Sequence, residues 1–217
     1  MMFEKRGTVR SILNPSTSLR VNLSLILFTL TALLLDPISA LADSSLPAFA
    51  EFSRSVQNGQ KDTLRGVYVE DTLALPVVQQ PSGKAGYVSN NDGKATQFGM
   101  ASQYGNVGLL AHNHLAGKFF SQLAIGQQVR LVYGDGRVEY FTITEILKYQ
   151  ALQPNSPYSA FKDLDKDETL SAGQMFKRAY VGDRRVTFQT CIEADGQLSW
   201  GRLFVIAMPS DTSQSGR

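Results

Sequence analysis

The chain has 217 residues, of which 43% are hydrophobic and 18% are charged, with 21 lysine and arginine residues against 19 aspartate and glutamate residues. Four of the basic and two of the acidic residues lie in residues 1–42, so the rest of the chain carries 17 of each. Because the part after residue 42 has no net charge, there is no electrostatic reason to expect it to bind nucleic acid. The 175 residues after position 42 are enough for one domain with its own hydrophobic core.

The N-terminal segment has the three-part layout of a secretory signal. Basic residues precede an uncharged, mostly apolar run from Val21 to Leu35, and Ala40-Leu41-Ala42 has the small-x-small pattern of a cleavage site. This run is shorter than the roughly twenty residues that span a bilayer comfortably. Residues 1–42 are therefore predicted to be a cleaved signal peptide or an uncleaved membrane anchor. The basic flank predicts an extracytoplasmic location for the remainder, either secreted or held at the outer face of the cytoplasmic membrane.

Residues 43–63 are predicted to form an N-terminal helix and a linker, because Leu46, Phe49, Phe52 and Val56 recur at helical spacing. Short β-prone runs separated by turns follow, and a less regular excursion is predicted to contain one helix. The predicted strands are 64–70, 73–79, 107–111, 129–133, 138–146, 186–191 and 203–208, with a helical turn at 118–123, the excursion at 154–182 and its helix at 171–179.

Many short strands with frequent turns and little helix predict a mostly β fold, either a barrel or a sandwich. The β domain is predicted to span residues 64–208. Residues 209–217 are predicted to be a disordered tail.

Cys191 is the only cysteine of the chain. It ends one β-prone run, and Arg202 opens a second apolar run eleven residues later. A nearby positive charge favours the ionised thiolate, so this pairing is typical of a nucleophilic cysteine. The alternative is a small buried hydrophobe. Exported proteins usually pair their cysteines, so an odd cysteine there indicates an intermolecular disulfide or a reactive thiol.

Both histidines of the chain, His112 and His114, follow the predicted strand 107–111. A thiol that expels an amine needs proton transfer near neutral pH, which histidine supplies. Residues two apart point the same way in a strand, so their spacing does not choose between them. A lone cysteine, an arginine and a histidine at strand ends together predict an active site.

These segments resemble the active site of sortases, the extracytoplasmic cysteine transpeptidases of bacterial surfaces. The similarity covers roughly residues 64–208. Phe188, Ala111 and Gln127 depart from the family pattern and indicate a divergent member. The matching segments are Thr187-Phe188-Gln189-Thr190-Cys191, similar to the family's Thr-Leu-x-Thr-Cys, Leu110-Ala111-His112-Asn113, similar to its histidine segment, and Arg202 at the start of an apolar strand.

The resemblance implies a closed β-barrel with short helices and a cysteine transpeptidase activity. By position, Cys191 is the implied nucleophile and His112 the general acid. Arg202 is implied to orient the substrate or to stabilise the oxyanion. Substrate-binding roles are also predicted for Thr190, through its hydroxyl, for Trp200, as a wall of the groove, and for His114.

The implied reaction cleaves a peptide bond in a sorting motif and passes the acyl group from the enzyme thioester to an amine of the cell wall or of a pilin, or to water. The expected partners are exported proteins with a C-terminal sorting motif, and the N-terminus allows membrane association. No cofactor or metal ligand is expected. The acidic run 163–168 leaves calcium open, although Glu168 and Gln174 replace the glycine and glutamate of a calcium loop.

Two alternatives remain open from the sequence. The first is an exported cysteine peptidase or hydrolase that delivers the acyl group to water. The histidine precedes the cysteine, which argues against papain-like and cell-wall amidase families, where the cysteine comes first. The second is a non-catalytic exported β domain in which Cys191 is buried.

Overall fold

A computed structural model describes residues 46–210, so the predicted signal or anchor segment and residues 211–217 of the predicted tail lie outside the described range. Within it, short strands follow one another along most of the chain. The strands are β1 (Leu64–Val69), β2 (Leu73–Gln79), β3 (Ala95–Gln97), β4 (Val107–Leu110), β5 (Gln128–Tyr133), β6 (Val138–Ala151), β7 (Phe161–Asp163), β8 (Thr169–Leu170), β9 (Val186–Ala194) and β10 (Gln197–Pro209). The helices are α1 (Phe49–Val56), α2 (Gly99–Ser102) and α3 (Ala172–Tyr180), and a 3₁₀ helix spans Ala116–Gln122.

Eight strands form a closed sheet in the order β1, β2, β3, β4, β9, β10, β6, β5, and β5 pairs again with β1. The sheet closes where the long strands β6 and β10 pair antiparallel. β2 with β3 and β4 with β9 are parallel pairs. β7 and β8 extend the sheet beyond β6. The prediction of a mostly β closed barrel with short helices is confirmed.

The barrel interior is filled by apolar side chains from alternate strand positions, as the two-residue period of a strand requires. Leu109, Phe188 and Val205 are fully buried. Phe120 of the 3₁₀ helix packs edge-on against Phe188 at 5.1 Å between ring centroids. Burying a side chain of this size contributes about 1.5–3 kcal/mol. This contact therefore anchors the chain segment that follows the two histidines to the core.

The helices lie on the outside of the barrel. α1 packs Phe52 and Val56 onto β1 at Gly66, where an added Cβ would lie 2.9 Å from the Phe52 ring. α3 begins with a capping box between Ser171 and Gln174, and it buries Tyr180 against the outer face of the sheet. No helix between residues 46 and 210 is both long enough and apolar enough to cross a membrane.

Several boundaries differ from the sequence prediction. β6, β9 and β10 are longer than predicted. The added part of β6 alternates the buried residues Leu147, Tyr149 and Ala151 with the more exposed Lys148 and Gln150. β3, β7, β8 and α2 have two to four residues each, too few to give a periodic signal. The predicted tail begins too early, since β10 continues to Pro209 and the backbone N–H of Ser210 donates to the Tyr140 carbonyl at 3.0 Å.

Candidate active site

The strand register places His112, Cys191 and Arg202 at one level on three neighbouring chain segments. Arg202 lies directly opposite Cys191 in the antiparallel pair of β9 and β10. On the other side of β9, the parallel strand β4 places Leu110 beside Gln189, so that His112 comes level with Cys191 two residues further on. Neighbouring strands lie about 4.8 Å apart. The three residues of the predicted catalytic set therefore come together at one end of the barrel.

A buried hydrogen bond ties the histidine segment to the cysteine strand. The Thr190 hydroxyl donates to the Ala111 carbonyl oxygen at 2.9 Å, and the Ala111 backbone N–H donates to the Gln189 carbonyl at 3.3 Å. Thr190 is only 4% exposed. The donor of that hydroxyl is used inside the protein, and the predicted role of Thr190 in binding substrate stays a prediction. Its contact holds the residue before His112 at a fixed height beside Cys191.

Gly117 packs against this hydrogen bond from the 3₁₀ helix. Its backbone N–H donates to the His112 carbonyl at 2.9 Å. A Cβ at this position would lie 2.3 Å from the Thr190 hydroxyl oxygen and 2.7 Å from the carbonyl oxygens of Ala111 and His112. Two of these three atoms belong to the backbone, so the neighbours cannot move aside without displacing the histidine segment. The site requires glycine here.

We expect Gly117→Ala to destabilise the fold and to displace His112. Overpacking of this kind costs about 1–3 kcal/mol, and each kcal/mol shifts the melting temperature of a domain of this size by about 2–4 °C. Gly173→Ala is the matched control, because an added Cβ there meets nothing within 4 Å. Circular dichroism melts of both variants test this, and a Gly117→Ala protein that melts like the wild type would contradict it.

Cys191 is partly exposed and lies within β9, three residues before its end, rather than at a strand terminus as the sequence predicted. It lines a cavity of about 520 Å³ at the open end of the barrel, together with residues of the 3₁₀ helix and β6. A thiol in this position is accessible to a reagent in the folded protein. The structure therefore disfavours the alternative in which Cys191 is a buried core residue.

Arg202 also lies within its strand, five residues after the start of β10. Its Nη1 donates to the carbonyl oxygens of Ser199 at 2.9 Å and Gly201 at 2.8 Å, and its Nη2 donates to the Pro154 carbonyl at 3.2 Å. No aspartate or glutamate in residues 46–210 forms an ion pair with it. The guanidinium has five N–H donors, so two of them and the whole positive charge remain available to a ligand.

The two histidines stack on each other with ring centroids 5.5 Å apart. His112 is partly buried and His114 is exposed. Burial is the main cause that lowers the pKa of His112 below its ordinary value of 6.5, and the charge of His114 lowers it further. A hydrogen bond to the Val88 carbonyl opposes both effects. The substrate-binding role predicted for His114 stays a prediction.

We expect the pKa of His112 in the folded protein to lie below 6.5 and to rise in His114→Ala. The variant removes a neighbouring positive charge, which favours the protonated imidazole, and it leaves His112 less buried. NMR titration of the imidazole C–H signals measures this. An unchanged or lower pKa of His112 in the variant would show that the His114 charge does not act on it.

A second cavity, a groove of about 760 Å³, runs along the outer face of the barrel beside Arg202. Gln189, Arg202 and Phe204 line it from β9 and β10. The Tyr180 hydroxyl donates to the Gln189 side-chain oxygen. Aromatic and apolar side chains that sequence reasoning did not single out form the walls, namely Phe98, Met100, Tyr104, Tyr158, Phe161 and Phe176.

Trp200, predicted to wall the groove, is partly buried on β10 and lines neither of the two cavities described here. The groove instead takes its walls from α2, α3 and the loop before β7. Tyr158 of that loop is 85% exposed. The aromatic and apolar lining of the groove is of the kind that binds a ligand's apolar groups.

The acidic run that resembles a calcium loop forms a turn closed by its own first residue. The Asp163 carboxylate accepts the backbone N–H groups of Asp165 at 2.8 Å and Lys166 at 3.1 Å. Asp163 is only 6% exposed. Between residues 46 and 210, no three His, Cys, Asp or Glu side chains are grouped so as to hold a metal ion. The Asp163 carboxylate therefore stabilises its own turn, and the prediction that no cofactor is needed stays a prediction.

Comparison with solved structures returns sortases. Sortase A of Listeria monocytogenes is 13% identical, over 69% of this chain and 88% of that chain, with a TM-score of 0.45. Sortase C-1 of Actinomyces oris is 11% identical over 79% and 86%, and sortase C1 of Streptococcus agalactiae is 14% identical over 79% and 78%, each with a TM-score of 0.46. No protein-family model and no curated protein matches the chain. All three structures are named sortases, the family that the sequence motifs resemble.

Proposed function

We propose that the protein is a sortase-type cysteine transpeptidase. It cleaves a peptide bond in the sorting motif of an exported protein, holds the acyl group as a thioester on Cys191 and transfers it to an amine of the cell wall or of a pilin. The observation that carries this proposal is the common level of His112, Cys191 and Arg202, with Cys191 partly exposed and Arg202 lining the outer groove.

In the first step, the Cys191 thiolate attacks the scissile carbonyl carbon, and a carbon–sulfur bond replaces the carbon–nitrogen bond. The protonated imidazole of His112 gives its proton to the departing amine and becomes neutral. A lowered pKa makes this imidazolium a strong proton donor, although it also makes that form scarce at neutral pH. The enzyme is left as a thioester beside a neutral imidazole.

In the second step, the neutral amine of the acceptor attacks the thioester. A carbon–nitrogen bond forms, the carbon–sulfur bond breaks, and the sulfur leaves as thiolate. The excess proton on the nitrogen passes to the neutral His112. The thiolate and the imidazolium are both restored, so the cycle needs no other co-reactant. Water in place of the amine gives hydrolysis by the same route.

We assign Arg202 the role of binding the peptide that donates the acyl group. The two N–H groups that make no contact within the protein can donate to the scissile carbonyl oxygen or to a neighbouring peptide carbonyl. The guanidinium itself is fixed by the carbonyls of Ser199, Gly201 and Pro154. A donor held in place before the reaction stabilises a developing oxyanion without further reorganisation. The apolar groove beside it accommodates the peptide that precedes the scissile bond.

Mass spectrometry of the full chain with peptides that contain a Thr-Gly bond, with and without an added amine, tests the proposal. We expect a thioacyl adduct on Cys191 and a ligated product when the amine is present. Hydrolysed peptide alone, at every amine concentration, would identify a cysteine hydrolase instead. Absence of both adduct and product across the peptide set, together with labelling of Cys191 by iodoacetamide only after unfolding, would contradict a nucleophilic cysteine.

We expect Arg202→Lys to lower kcat/KM by about 10²–10³-fold, the usual cost of one lost oxyanion donor. An ammonium keeps the charge but cannot reproduce the planar donor set. The melting temperature is also expected to fall by several degrees, because the carbonyls of Ser199, Gly201 and Pro154 lose donors worth about 0.5–1.5 kcal/mol each.

Arg184→Lys is the matched control for Arg202→Lys. Arg184 also donates to a backbone carbonyl, that of Gly105 at 2.6 Å, but it precedes β9 and lies at the far end of that strand from Cys191. This variant is expected to lose stability without the loss of rate. Equal kcat/KM values for the two variants, measured well below both melting temperatures, would assign Arg202 a structural role only.

A further inference from the structure

The outer faces of β9 and β10 form the floor of the groove. Phe188 of β9 is fully buried in the barrel interior. Because side chains alternate along a strand, Gln189 and Cys191 both point outwards. They lie two residues apart, which is about 6.6–6.8 Å along the strand. Gln189 and Arg202, the cross-strand partner of Cys191, both line the groove. A ligand that reaches the thiol along this floor therefore passes Gln189.

The floor ends at Gln189 because α3 covers the next outward position of β9. That position is Thr187, which is fully buried and whose hydroxyl donates to the Ala179 carbonyl of α3 at 2.6 Å. Tyr180, the next residue of α3, covers Gly108 of β4, where an added Cβ would lie 2.9 Å from its ring. Gln189 therefore lies at the closed end of the floor, beside the last residue of α3.

The Tyr180 hydroxyl fixes which end of the Gln189 amide faces the groove. It donates to the Gln189 side-chain oxygen, and within residues 46–210 it has no other hydrogen-bond partner. Tyr180 is only 2% exposed, and burial raises its pKa above the ordinary value of 10, so the hydroxyl keeps its proton and needs an acceptor. The reverse amide orientation would leave this buried O–H without one. The amide oxygen therefore stays at Tyr180, and Nε2 lies on the other side.

The Nε2 group of Gln189 is a free donor in a mostly apolar groove. It makes no hydrogen bond within residues 46–210, and in that range Arg65 Nε is the only buried side-chain nitrogen or oxygen without a partner. The Gln189 Nε2 group is therefore open to the groove. No aspartate, glutamate or lysine lines the groove, and Arg202 is its one charged lining residue. The floor thus offers N–H donors and a positive charge, with no carboxylate to compete for them.

We propose that Gln189 binds a side-chain oxygen of the acyl-donor peptide, on the residue two positions before the one whose carbonyl is attacked. In an extended peptide, residues two apart have the same separation as Gln189 and Cys191, and their side chains point the same way. A glutamine or glutamate side chain has methylene groups for the aromatic walls and an acceptor oxygen for Nε2. This inference rests on the proposed acyl transfer, and it adds the residue that selects the donor peptide.

Peptide binding to the full chain carrying Cys191→Ala tests the inference without turnover. The peptides are Ala-Ala-Xaa-Ala-Thr-Gly-Gly, with glutamine, glutamate or norleucine as Xaa. We expect the Kd of the norleucine peptide divided by that of the glutamine peptide to be about 2–10-fold larger than in a protein that also carries Gln189→Met, the range of one hydrogen bond. The glutamate peptide should bind more tightly than the glutamine peptide, because Arg202 is the one charge of the groove.

The contact itself is followed by NMR. The side-chain amide signals of Gln189 are identified by their absence from the spectrum of Gln189→Met. They should shift with the glutamine and glutamate peptides and much less with the norleucine peptide. Moving the glutamine to the position directly before threonine should remove the preference, because neighbouring side chains of an extended peptide point to opposite sides.

Gln150→Met is the matched control for Gln189→Met. Gln150 is a half-buried glutamine of β6 that lines neither cavity. This variant should keep the Kd ratio of the parent protein. The inference is overturned if Gln189→Met leaves the ratio unchanged, if the glutamate peptide binds more weakly than the norleucine peptide, or if no peptide of the series binds. Failure of the proposed acyl transfer is recognised separately, by the absence of a thioacyl adduct from the wild type in mass spectrometry.

Tyr180→Phe tests the positioning of the amide. The variant keeps the buried ring and removes the hydroxyl, so nothing holds the Gln189 oxygen away from the groove. We expect the Kd ratio to fall towards that of Gln189→Met, although Gln189 itself is still present. A lower melting temperature with an unchanged Kd ratio would contradict the orientation assigned to the amide and leave Tyr180 with a structural role only.

Discussion

Cys191→Ala is expected to abolish both transfer and hydrolysis, because no other residue of the chain has a thiol. The melting temperature should stay close to that of the wild type. Cys191 is only partly buried, so removing its sulfur leaves little cavity and exposes no unpaired polar group. Product analysis by mass spectrometry and a thermal melt on the same preparation measure the two effects.

Turnover that persists in Cys191→Ala would contradict the thioester mechanism. A melting temperature lowered by more than a few degrees would instead indicate that Cys191 packs as a core residue. A useful comparison is Thr190→Val, which removes the hydroxyl bonded to the Ala111 carbonyl and keeps a side chain of similar shape. That variant should retain the thioacyl adduct at a reduced rate, because the nucleophile is present but the histidine segment is less well held.

His112→Ala is expected to lower kcat/KM by about 10²–10⁴-fold, the usual contribution of a general acid. His114→Ala should have a much smaller effect. The reason is the register of β4 and β9, which brings His112 level with Cys191. His114 lies two residues further along the chain and is therefore no longer level with the thiol. Steady-state kinetics of both variants with one peptide give the comparison.

The partial rescue of His112→Ala by added imidazole would support proton transfer as the missing function. A larger loss of kcat/KM in His114→Ala than in His112→Ala would mean that the chain after β4 does not continue the register set by the pair of Leu110 and Gln189. The roles of the two histidines would then be exchanged.

The residue types of the site could be predicted from the sequence, because Cys191 is unique and the histidines are adjacent to a recognisable strand. The alignment of these residues across neighbouring strands could not be predicted from the sequence. It depends on the parallel pairing of β4 with β9, whose partners are 79 positions apart and leave no local periodicity. The same holds for the internal contact of Thr190. Its hydroxyl has a partner only once Ala111 is brought beside it.

The groove was the least predictable part of the site. Its walls come from Phe98, Tyr158 and Phe176, which lie in three separate segments. In the sequence they appear as aromatic residues of unrelated segments, Phe176 within the predicted helix 171–179, and no strand or helix period connects them. Trp200 was the natural candidate beside the motif, but it lines neither cavity. Proximity along the chain was therefore a poor guide to which aromatic side chains form the walls.

The parallel contact between β4 and β9 also bears on when the protein becomes active. Parallel strands cannot be joined by a tight hairpin, and this pair closes a loop that contains β5 to β8 and α3. Contacts between residues so far apart in the chain form late in folding, because a long loop must close first. We therefore expect the chain to have an isolated thiol of ordinary reactivity until its barrel is complete. Synthesis of the whole chain would then precede activity, and the nucleophile would meet its acid only in the folded protein.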